Sequence, residues 1–288
     1  MKKFLKIIGL AFVAFIALSY ALDWIYTYSY KNPVYARDKV SWLHDMNSSA
    51  TYDYALFGSS RCIYHLNPVT INQSTGLKGI NLGYSGSNPF EIKLMVKKFL
   101  DKYQPKMIFV QLDNQYNIEH LDPTAITPWM PFIKEDEVYQ EIIKYEDKAW
   151  YFKNIPFYRY TQYETKLGAR NLILSYLKSN SFANQLGFTS INKTINRVKP
   201  GNYKLKDKPN IHVKEIEDLC RSKGVEVYFF TAPFLQQKIN TAVIEKHVQH
   251  YQDFSQIFTQ KAYFSDPTHL NRKGAEKFTD IFIQAYFD

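Results

Sequence analysis

The chain has 288 residues, of which 45% are hydrophobic and 17% aromatic, and this composition excludes a mostly disordered protein. Its length allows one large domain or two small ones, and its two cysteines are too few for a disulfide framework. The formal net charge is +9, but the basic residues are spread in short clusters without the long run typical of nucleic-acid binding. We therefore expect no nucleic-acid partner, and an anionic membrane or cell-wall polymer suits the charge.

The first 30 residues predict a membrane segment. Residues 7–22 form an uncharged run, and the length of this run is close to the shortest that crosses a bilayer. Three lysines precede this run, so the positive-inside rule places the N-terminus in the cytoplasm. A belt of aromatic residues follows it: Trp24, Tyr26, Tyr28 and Tyr30. We interpret residues 1–30 as a retained signal-anchor, with a cleaved secretory signal as the alternative. Both interpretations place residues 31–288 outside the cytoplasm, in the periplasm or at the cell surface.

Strands and helices alternate along most of the remaining chain. Short apolar runs bounded by Gly, Pro or Asp predict four strands of a parallel sheet: Tyr54–Phe57, Gly79–Leu82, Met107–Leu112 and Val225–Thr231. Amphipathic spacing predicts helices over residues 89–104, 212–223 and 271–287. This alternation predicts an α/β sheet with right-handed crossovers.

Residues 115–210 do not fit this alternation. A crossover needs only about a dozen residues and a helix, whereas this segment is far longer and rich in Tyr, Trp, Phe and Asn. We interpret it as an inserted subdomain or lid, with one helix near the sequence DEVYQEIIKYEDKAWYF.

Polar residues follow the predicted strands at the edge where open α/β sheets bind their ligands. Ser60 follows the first strand, and Asp266 and His269 stand three residues apart before the last helix. That spacing lets the carboxylate orient the imidazole, which can then activate the serine hydroxyl as a nucleophile. The backbone N–H groups of Ser60 and Gly83 are the predicted oxyanion donors for acyl transfer.

The order of these segments resembles the SGNH/GDSL hydrolase superfamily. It most resembles the membrane-anchored branch that includes DltD-like proteins and alginate-acetylation accessory proteins. Residues 58–60, Gly-Ser-Ser, match the nucleophile block, Gly83 matches the oxyanion glycine, and residues 266–269, Asp-Pro-Thr-His, match the final block. The resemblance covers about residues 53–112 and 225–286, and it does not cover the segment between them.

This resemblance implies a flavodoxin-like, three-layer α/β/α SGNH-hydrolase fold with a parallel central sheet. It implies a serine esterase or acyltransferase that forms an acyl-Ser60 intermediate and needs no cofactor. The implied substrates are acyl esters of a cell-surface polysaccharide or teichoic acid, and a membrane-bound O-acyltransferase is the implied protein partner.

The third block departs from the superfamily pattern Gly-x-Asn-Asp, because residues 111–114 read Gln-Leu-Asp-Asn. In a strict alignment Asp113 takes the place of the asparagine donor, and an ionised carboxylate cannot donate a hydrogen bond. Asn114, or Asn117 after a longer shift, is the candidate replacement. We expect Asp113 and Arg61 to contact the substrate, with a surface ion pair as the alternative for Arg61.

Other interpretations of the same residues remain. Ser85 is a rival nucleophile, although Ser87 stands where the second glycine of a G-x-S-x-G elbow belongs. Asp266 and His269 could ligate a metal, but no third ligand has recognisable spacing, so we predict no metal site. The altered third block favours a non-catalytic scaffold as the main alternative to an enzyme. A secreted lipase-like esterase is the third possibility.

Overall fold

The structure is a computed structural model that describes residues 1–287, and the chain forms two compact units. The helical unit comprises residues 1–45 and 126–179. The sheet unit comprises residues 46–125 and the chain from residue 180 onward.

Strands and helices alternate along the sheet unit, whereas the helical unit has only helices among its described residues. The strands are β1 (Tyr54–Phe57), β2 (Gly79–Asn81), β3 (Met107–Gln111), β4 (Gly201–Tyr203), β5 (Glu226–Thr231), β6 (Gln237–Ile239) and β7 (Tyr251–Asp253). The α-helices are α1 (Lys2–Lys31), α2 (Lys39–Asp45), α3 (Ser60–His65), α4 (Pro68–Thr75), α5 (Pro89–Leu100), α6 (Asp136–Ile142), α7 (Ala149–Asn154), α8 (Tyr158–Gln162), α9 (Glu164–Leu167), α10 (Ala169–Leu177), α11 (Ser181–Asn184), α12 (Ile211–Lys223), α13 (Ala242–His247) and α14 (Arg272–Tyr286). Two short 3₁₀ helices cover Thr127–Phe132 and Lys261–Tyr263.

The main sheet has five parallel strands in the order β2-β1-β3-β5-β7. Numbered along the chain, this is the order 2-1-3-4-5 found in flavodoxin-like folds. β4 and β6 form a separate two-stranded parallel sheet. The predicted parallel sheet with flanking helices is therefore confirmed, and all five carboxyl ends of its strands meet at one edge.

Helices cover both faces of this sheet because its strands alternate apolar side chains between the two faces. On one face Leu56, Phe109 and Phe230 belong to a buried cluster with Phe278 and Phe282 of α14. On the other face the ring of Phe57 packs against Phe99 of α5, with centroids 5.6 Å apart, and α5 packs against α12. This arrangement is a three-layer α/β/α unit.

Local sequence signals fix the ends of the flanking helices. Asn88 caps α5 by accepting from the backbone N–H of Phe90, and the Glu91 side chain accepts from the N–H of Asn88, which completes a capping box. Asn271 caps α14 by accepting from the N–H of Gly274. The loop before α14 carries the predicted aspartate and histidine, so this cap fixes where the loop ends.

Two parts of the prediction need correction. The segment DEVYQEIIKYEDKAWYF forms two short helices, α6 and α7, instead of one. The edge strand β7 was not predicted, because Tyr251–Asp253 is only three residues long and largely polar. Its place in the sheet comes from its pairing with β5, which sequence alone does not reveal.

In the helical unit, α1 is one continuous helix that is long and apolar enough to cross a membrane. Its aromatic residues fall into two groups. Trp24 and Tyr28 are 67% and 55% exposed and stack on each other, as interfacial residues would. Tyr26 and Tyr30 instead pack against Tyr160 within the unit, so only half of the predicted aromatic belt is exposed.

Candidate active site

The serine pair begins at the carboxyl end of β1, where the chain turns directly into α3. Gly58 has φ 154°, and a Cβ there would lie 2.7 Å from the Cβ of Gln111 and 2.9 Å from that of Cys62. Only glycine therefore fits this turn. Ser59 caps α3 by accepting from the N–H of Arg61, and Ser60 is the first residue of the helix. The hydroxyl of Ser60 thereby lies half-buried at the edge of the sheet.

The predicted aspartate and histidine come from a tight turn just before α14. Asp266 Oδ1 accepts three hydrogen bonds: from the N–H and the hydroxyl of Thr268, and from the N–H of His269. The carbonyl of His269 in turn accepts from both the N–H and the hydroxyl of Ser265. These bonds fold the Asp-x-x-His segment so that Asp266 Oδ2 faces the imidazole.

The three predicted residues form a continuous hydrogen-bonded line. The Ser60 Oγ lies 2.8 Å from His269 Nε2, and His269 Nδ1 lies 2.8 Å from Asp266 Oδ2. The His269 side chain is 24% exposed and that of Asp266 43% exposed. The structure thus brings together a hydroxyl, an imidazole and a carboxylate from residues more than 200 positions apart.

The surroundings of Asp266 favour its ionised form. Partial burial alone would raise the pKa of Asp266, but hydrogen bonds from His269 and Thr268 outweigh it and hold the pKa well below its usual range. An ionised Asp266 accepts only, so the proton between it and His269 resides on Nδ1. His269 Nε2 is then the free acceptor that faces the Ser60 hydroxyl.

Gly83 does not have the environment predicted for an oxyanion donor. Its N–H already donates to Asn81 Oδ1 at 3.0 Å, in a turn two residues long. A Cβ at Gly83 would lie 2.7 Å from the Cβ of Cys62 and 3.1 Å from its sulfur. The glycine is therefore explained by its close packing against α3, and the prediction that its amide is free needs correction.

The loops after β1 and β2 also carry backbone N–H groups that no acceptor in the described chain occupies, and two of them concern the predicted oxyanion site. The N–H groups of Ser60 and Gly86 have no acceptor among residues 1–287. Gly86 has φ 84°, a left-handed conformation that a glycine adopts without strain. The Ser60 amide therefore stays available as predicted, and Gly86 is the free glycine amide in the loop after β2.

In the third block, residues 111–114, Gln111 supports the turn between β1 and α3 that carries Ser59 and Ser60. Gln111 Oε1 accepts from both the N–H and the hydroxyl of Ser59, at 3.0 and 2.8 Å, and its Nε2 donates to Asp113 Oδ2. The bond to Asp113 fixes the Gln111 amide, and the two bonds from Ser59 then fix the position of Ser59. Asn114 is half-buried, and its side chain makes no hydrogen bond within residues 1–287. Its predicted role as an oxyanion donor stays a prediction.

Arg61 and Asp113 pair with each other inside the protein. Arg61 Nη1 lies 3.1 Å from Asp113 Oδ2, and their side chains are 3% and 6% exposed. The guanidinium also donates to the carbonyl oxygens of Ala232 and Pro233 and stacks 3.5 Å from the ring centre of Phe234. This arrangement argues against direct substrate contact by either charged residue, and the pair is buried instead of lying at the surface.

A second histidine supports the loop that carries His269. His65, at the end of α3, is fully buried, and its Nε2 accepts from the N–H of Leu270 at 3.0 Å. Burial and the nearby charge of Arg61 lower the pKa of His65 well below its usual range, so it acts as a neutral acceptor. Sequence reasoning missed this residue because its partner lies 205 positions away.

The alternative sites lack comparable geometry. The hydroxyl of the rival nucleophile Ser85 makes no hydrogen bond to a histidine or carboxylate in the described chain. Within residues 1–287 no group of three or more His, Cys, Asp or Glu side chains could hold a metal ion. Cys62 and Cys220 are both buried, and neither forms a disulfide within the described chain.

Comparisons with known proteins give only distant likenesses. No protein-family model and no curated protein matches the chain. One solved structure, from Streptococcus pneumonia and provisionally described as a platelet activating factor, has a TM-score of 0.36 and 10% identity. That alignment covers 98% of this chain and 99% of the other. A gut microbial diltiazem-metabolizing enzyme has a TM-score of 0.32 and 13% identity, and the alignment covers 82% of this chain and 47% of that one. Likenesses at this level do not define an activity.

Proposed function

We propose that the chain is a membrane-anchored serine esterase or acyltransferase of SGNH type. The observation that carries the proposal is the line from Ser60 Oγ through His269 to Asp266, with 2.8 Å at each step. Nucleophile, base and orienting acid within hydrogen-bond reach are the arrangement that acyl transfer through serine requires.

In the proposed reaction His269 Nε2 takes the proton of the Ser60 hydroxyl as Oγ attacks the ester carbonyl. The carbonyl oxygen becomes an oxyanion, and the alcohol leaves with the proton that His269 returns. Water or a sugar hydroxyl then attacks acyl-Ser60 and gives its proton to His269. As the bond between the acyl group and Ser60 Oγ breaks, His269 returns this proton to Oγ and restores the free serine. Asp266 stays ionised throughout and stabilises the imidazolium that forms in each half-reaction.

The proposed oxyanion donors are the N–H groups of Ser60 and Gly86. Both are free, whereas the Gly83 amide is occupied by Asn81. Removal of one such donor typically lowers the rate about 10²–10³-fold. The number of N–H groups that reach the oxyanion therefore governs the rate of acyl transfer expected at the proposed site.

The proposed location is a cell membrane, with the N-terminus in the cytoplasm and the sheet unit outside it. Support for a retained anchor is that α1 runs without a break past the small residues Ser19 and Ala21 into side chains that pack in the helical unit. Acyl esters of a cell-surface polysaccharide or teichoic acid are the proposed substrates, with a membrane-bound O-acyltransferase as the proposed partner. Both rest on the superfamily resemblance of the sequence.

The test uses the full-length protein in lipid nanodiscs and a small chromogenic acetyl ester. We expect the wild type to hydrolyse the ester, and Ser60→Ala and His269→Ala each to lower kcat at least about 10³-fold. Ser85→Ala is the matched control, because it removes a half-buried hydroxyl from a neighbouring loop, and it is expected to retain activity. Equal activity of Ser60→Ala and wild type would refute the proposed nucleophile.

A non-catalytic scaffold in cell-envelope polysaccharide modification is the second candidate function. One observation favours it: the Gly83 amide, predicted to stabilise the oxyanion, is occupied. This candidate predicts no ester turnover by the folded wild type, together with retained binding of the polysaccharide by both wild type and Ser60→Ala. Turnover that depends on Ser60 would rule it out.

A further inference from the structure

The helical unit contains a groove of about 640 Å³ along α1. Residues 15–22 of α1 form one wall, and residues 155–161 form the other. No charged side chain other than the buried Arg159 occurs in these two segments, and the lining is aliphatic or aromatic apart from two hydroxyl residues, Ser19 and Thr161. The volume lies in the range of sites that bind small organic molecules.

The position of the groove along α1 matters if α1 spans the bilayer, as the proposed function holds. Phe15 lies about 10 Å from Leu22 along the axis, at a rise of about 1.5 Å per residue. Leu22 is the last residue of the apolar run. Half of the hydrocarbon core is about 15 Å thick. Residues 155–158 would therefore lie in the outer half of the hydrocarbon instead of in water.

A buried charge pair fixes this second wall to α1. Asp23, which is 2% exposed, accepts from the N–H of Phe157 at 2.9 Å and pairs with Arg159 Nη1 at 2.8 Å. Lys134 reaches the other carboxylate oxygen at 2.5 Å. Phe157 has φ 64°, a conformation that a bulky residue adopts only where its surroundings impose it. The turn at Phe157 is thus built into the unit.

Exposed apolar side chains occur at the start of this wall and in the helix before it. Ile155 is 39% exposed, and in α7, just before it, Trp150 and Tyr151 are 53% and 48% exposed. Tryptophan and tyrosine are enriched where a membrane meets water. Ile155 lines the groove beside α1, whose membrane-length window has no buried residue within the structure.

We propose that residues 155–158 insert into the outer leaflet beside α1 and that an acyl chain of a membrane phospholipid occupies the groove. The proposal rests on α1 spanning the membrane, as in the proposed function. A lipid chain suits the groove because its walls offer no charge and hydrocarbon surrounds α1 at this depth. A transmembrane helix of another protein is the competing occupant.

The insertion is tested on the full-length protein in phosphatidylcholine nanodiscs with a small fluorophore on an introduced cysteine. Phosphatidylcholine brominated on its acyl chains is the quencher. We expect a label at Ile155→Cys to be quenched about as strongly as one at Leu10→Cys, within the apolar run of α1. A label at Lys204→Cys, an exposed residue of the sheet unit, is expected to stay bright.

The Leu10 label distinguishes the membrane span of α1 from the insertion of residues 155–158. Quenching at Leu10 without quenching at Ile155 would overturn the insertion and leave the membrane span intact. No quenching at Leu10 would overturn the span and this inference with it. Neither result bears on turnover by Ser60, which the ester assay measures separately.

Groove occupancy is tested by native mass spectrometry of the protein released from the same nanodiscs. Ser19→Trp fills the groove, whereas Val13→Trp adds the same ring to an exposed position of α1 outside it. We expect the wild type and Val13→Trp to retain phosphatidylcholine and Ser19→Trp to lose it. Equal retention by all three, no retention by the wild type, or a bound protein in place of lipid would overturn the proposal.

Discussion

The buried Arg61–Asp113 pair beneath the serine turn gives the sharpest prediction about stability. Arg61→Met keeps most of the side-chain volume but leaves the Asp113 carboxylate without its positive partner. It also leaves the carbonyl oxygens of Ala232 and Pro233 without a donor. Asp113 would keep only the hydrogen bonds from Gln111 Nε2 and the N–H of Gln115.

The expected cost is about 3–5 kcal/mol, because breaking a buried pair strands an uncompensated charge. For a unit of this size that corresponds to a fall in Tm of roughly 6–20 °C. The double variant Arg61→Met with Asp113→Asn removes the stranded charge, so it should recover a large part of the loss. Thermal unfolding of the full-length protein in nanodiscs, followed by intrinsic fluorescence, measures both.

Lys97→Met is the matched control, because it breaks an exposed pair with Asp101 on α5 at 2.6 Å. We expect it to cost no more than about 0.5 kcal/mol. An Arg61→Met protein that melted within about 2 °C of the wild type, or a double variant less stable than the single one, would show that the buried pair does not carry this stability.

Three further predictions concern the candidate site and its support. Asp266→Asn should lower kcat by about 10⁴-fold with little change in KM, because the amide no longer fixes the tautomer of His269. His65→Leu should destabilise the protein by about 1–3 kcal/mol, since it leaves the buried N–H of Leu270 without an acceptor, and His65→Gln should restore an acceptor and part of the stability. Burial raises the pKa of Glu91 from 4.5 to about 8, so its folded state favours the protonated form. The contribution of Glu91 to stability is therefore fully present below about pH 4.5 and is lost as the pH rises through about 8, by several kcal/mol at most, and Glu91→Gln should remove this part of the dependence of Tm on pH.

Each of these expectations has a result that contradicts it. Unchanged kcat in Asp266→Asn would remove the carboxylate from the proposed mechanism. A His65→Leu protein as stable as His65→Gln would show that the hydrogen bond to the N–H of Leu270 does not contribute to stability. A Tm that rises between pH 5 and 8 in the wild type, and equally in Glu91→Gln, would contradict the raised pKa of Glu91.

Much of the sheet unit was predictable because its signals are local. The bounds of β1 follow from a short apolar run that ends at Gly58, and those of α14 from the cap at Asn271. The Asp266–His269 contact was also predictable, since a turn of three residues brings these side chains together. In these cases the residues that define the element are neighbours in the chain.

The features that sequence reasoning missed depend on distant partners. Arg61 pairs with Asp113, 52 positions away, and nothing near either residue distinguishes this from a surface charge. The occupied amide of Gly83 was in principle readable, since an asparagine two residues earlier commonly accepts from such an N–H. Here Asn81 does so, and the Gly83 N–H is therefore not free to donate to an oxyanion.

The proposed function requires Ser60 to be an activated nucleophile. It is tested most directly by treating the full-length protein in nanodiscs with a serine-directed fluorophosphonate and mapping the adduct by peptide mass spectrometry. We expect one adduct on Ser60, lost in Ser60→Ala and strongly slowed in His269→Ala. An adduct on Ser85, or no adduct on a wild-type protein with an intact melting transition, would contradict it.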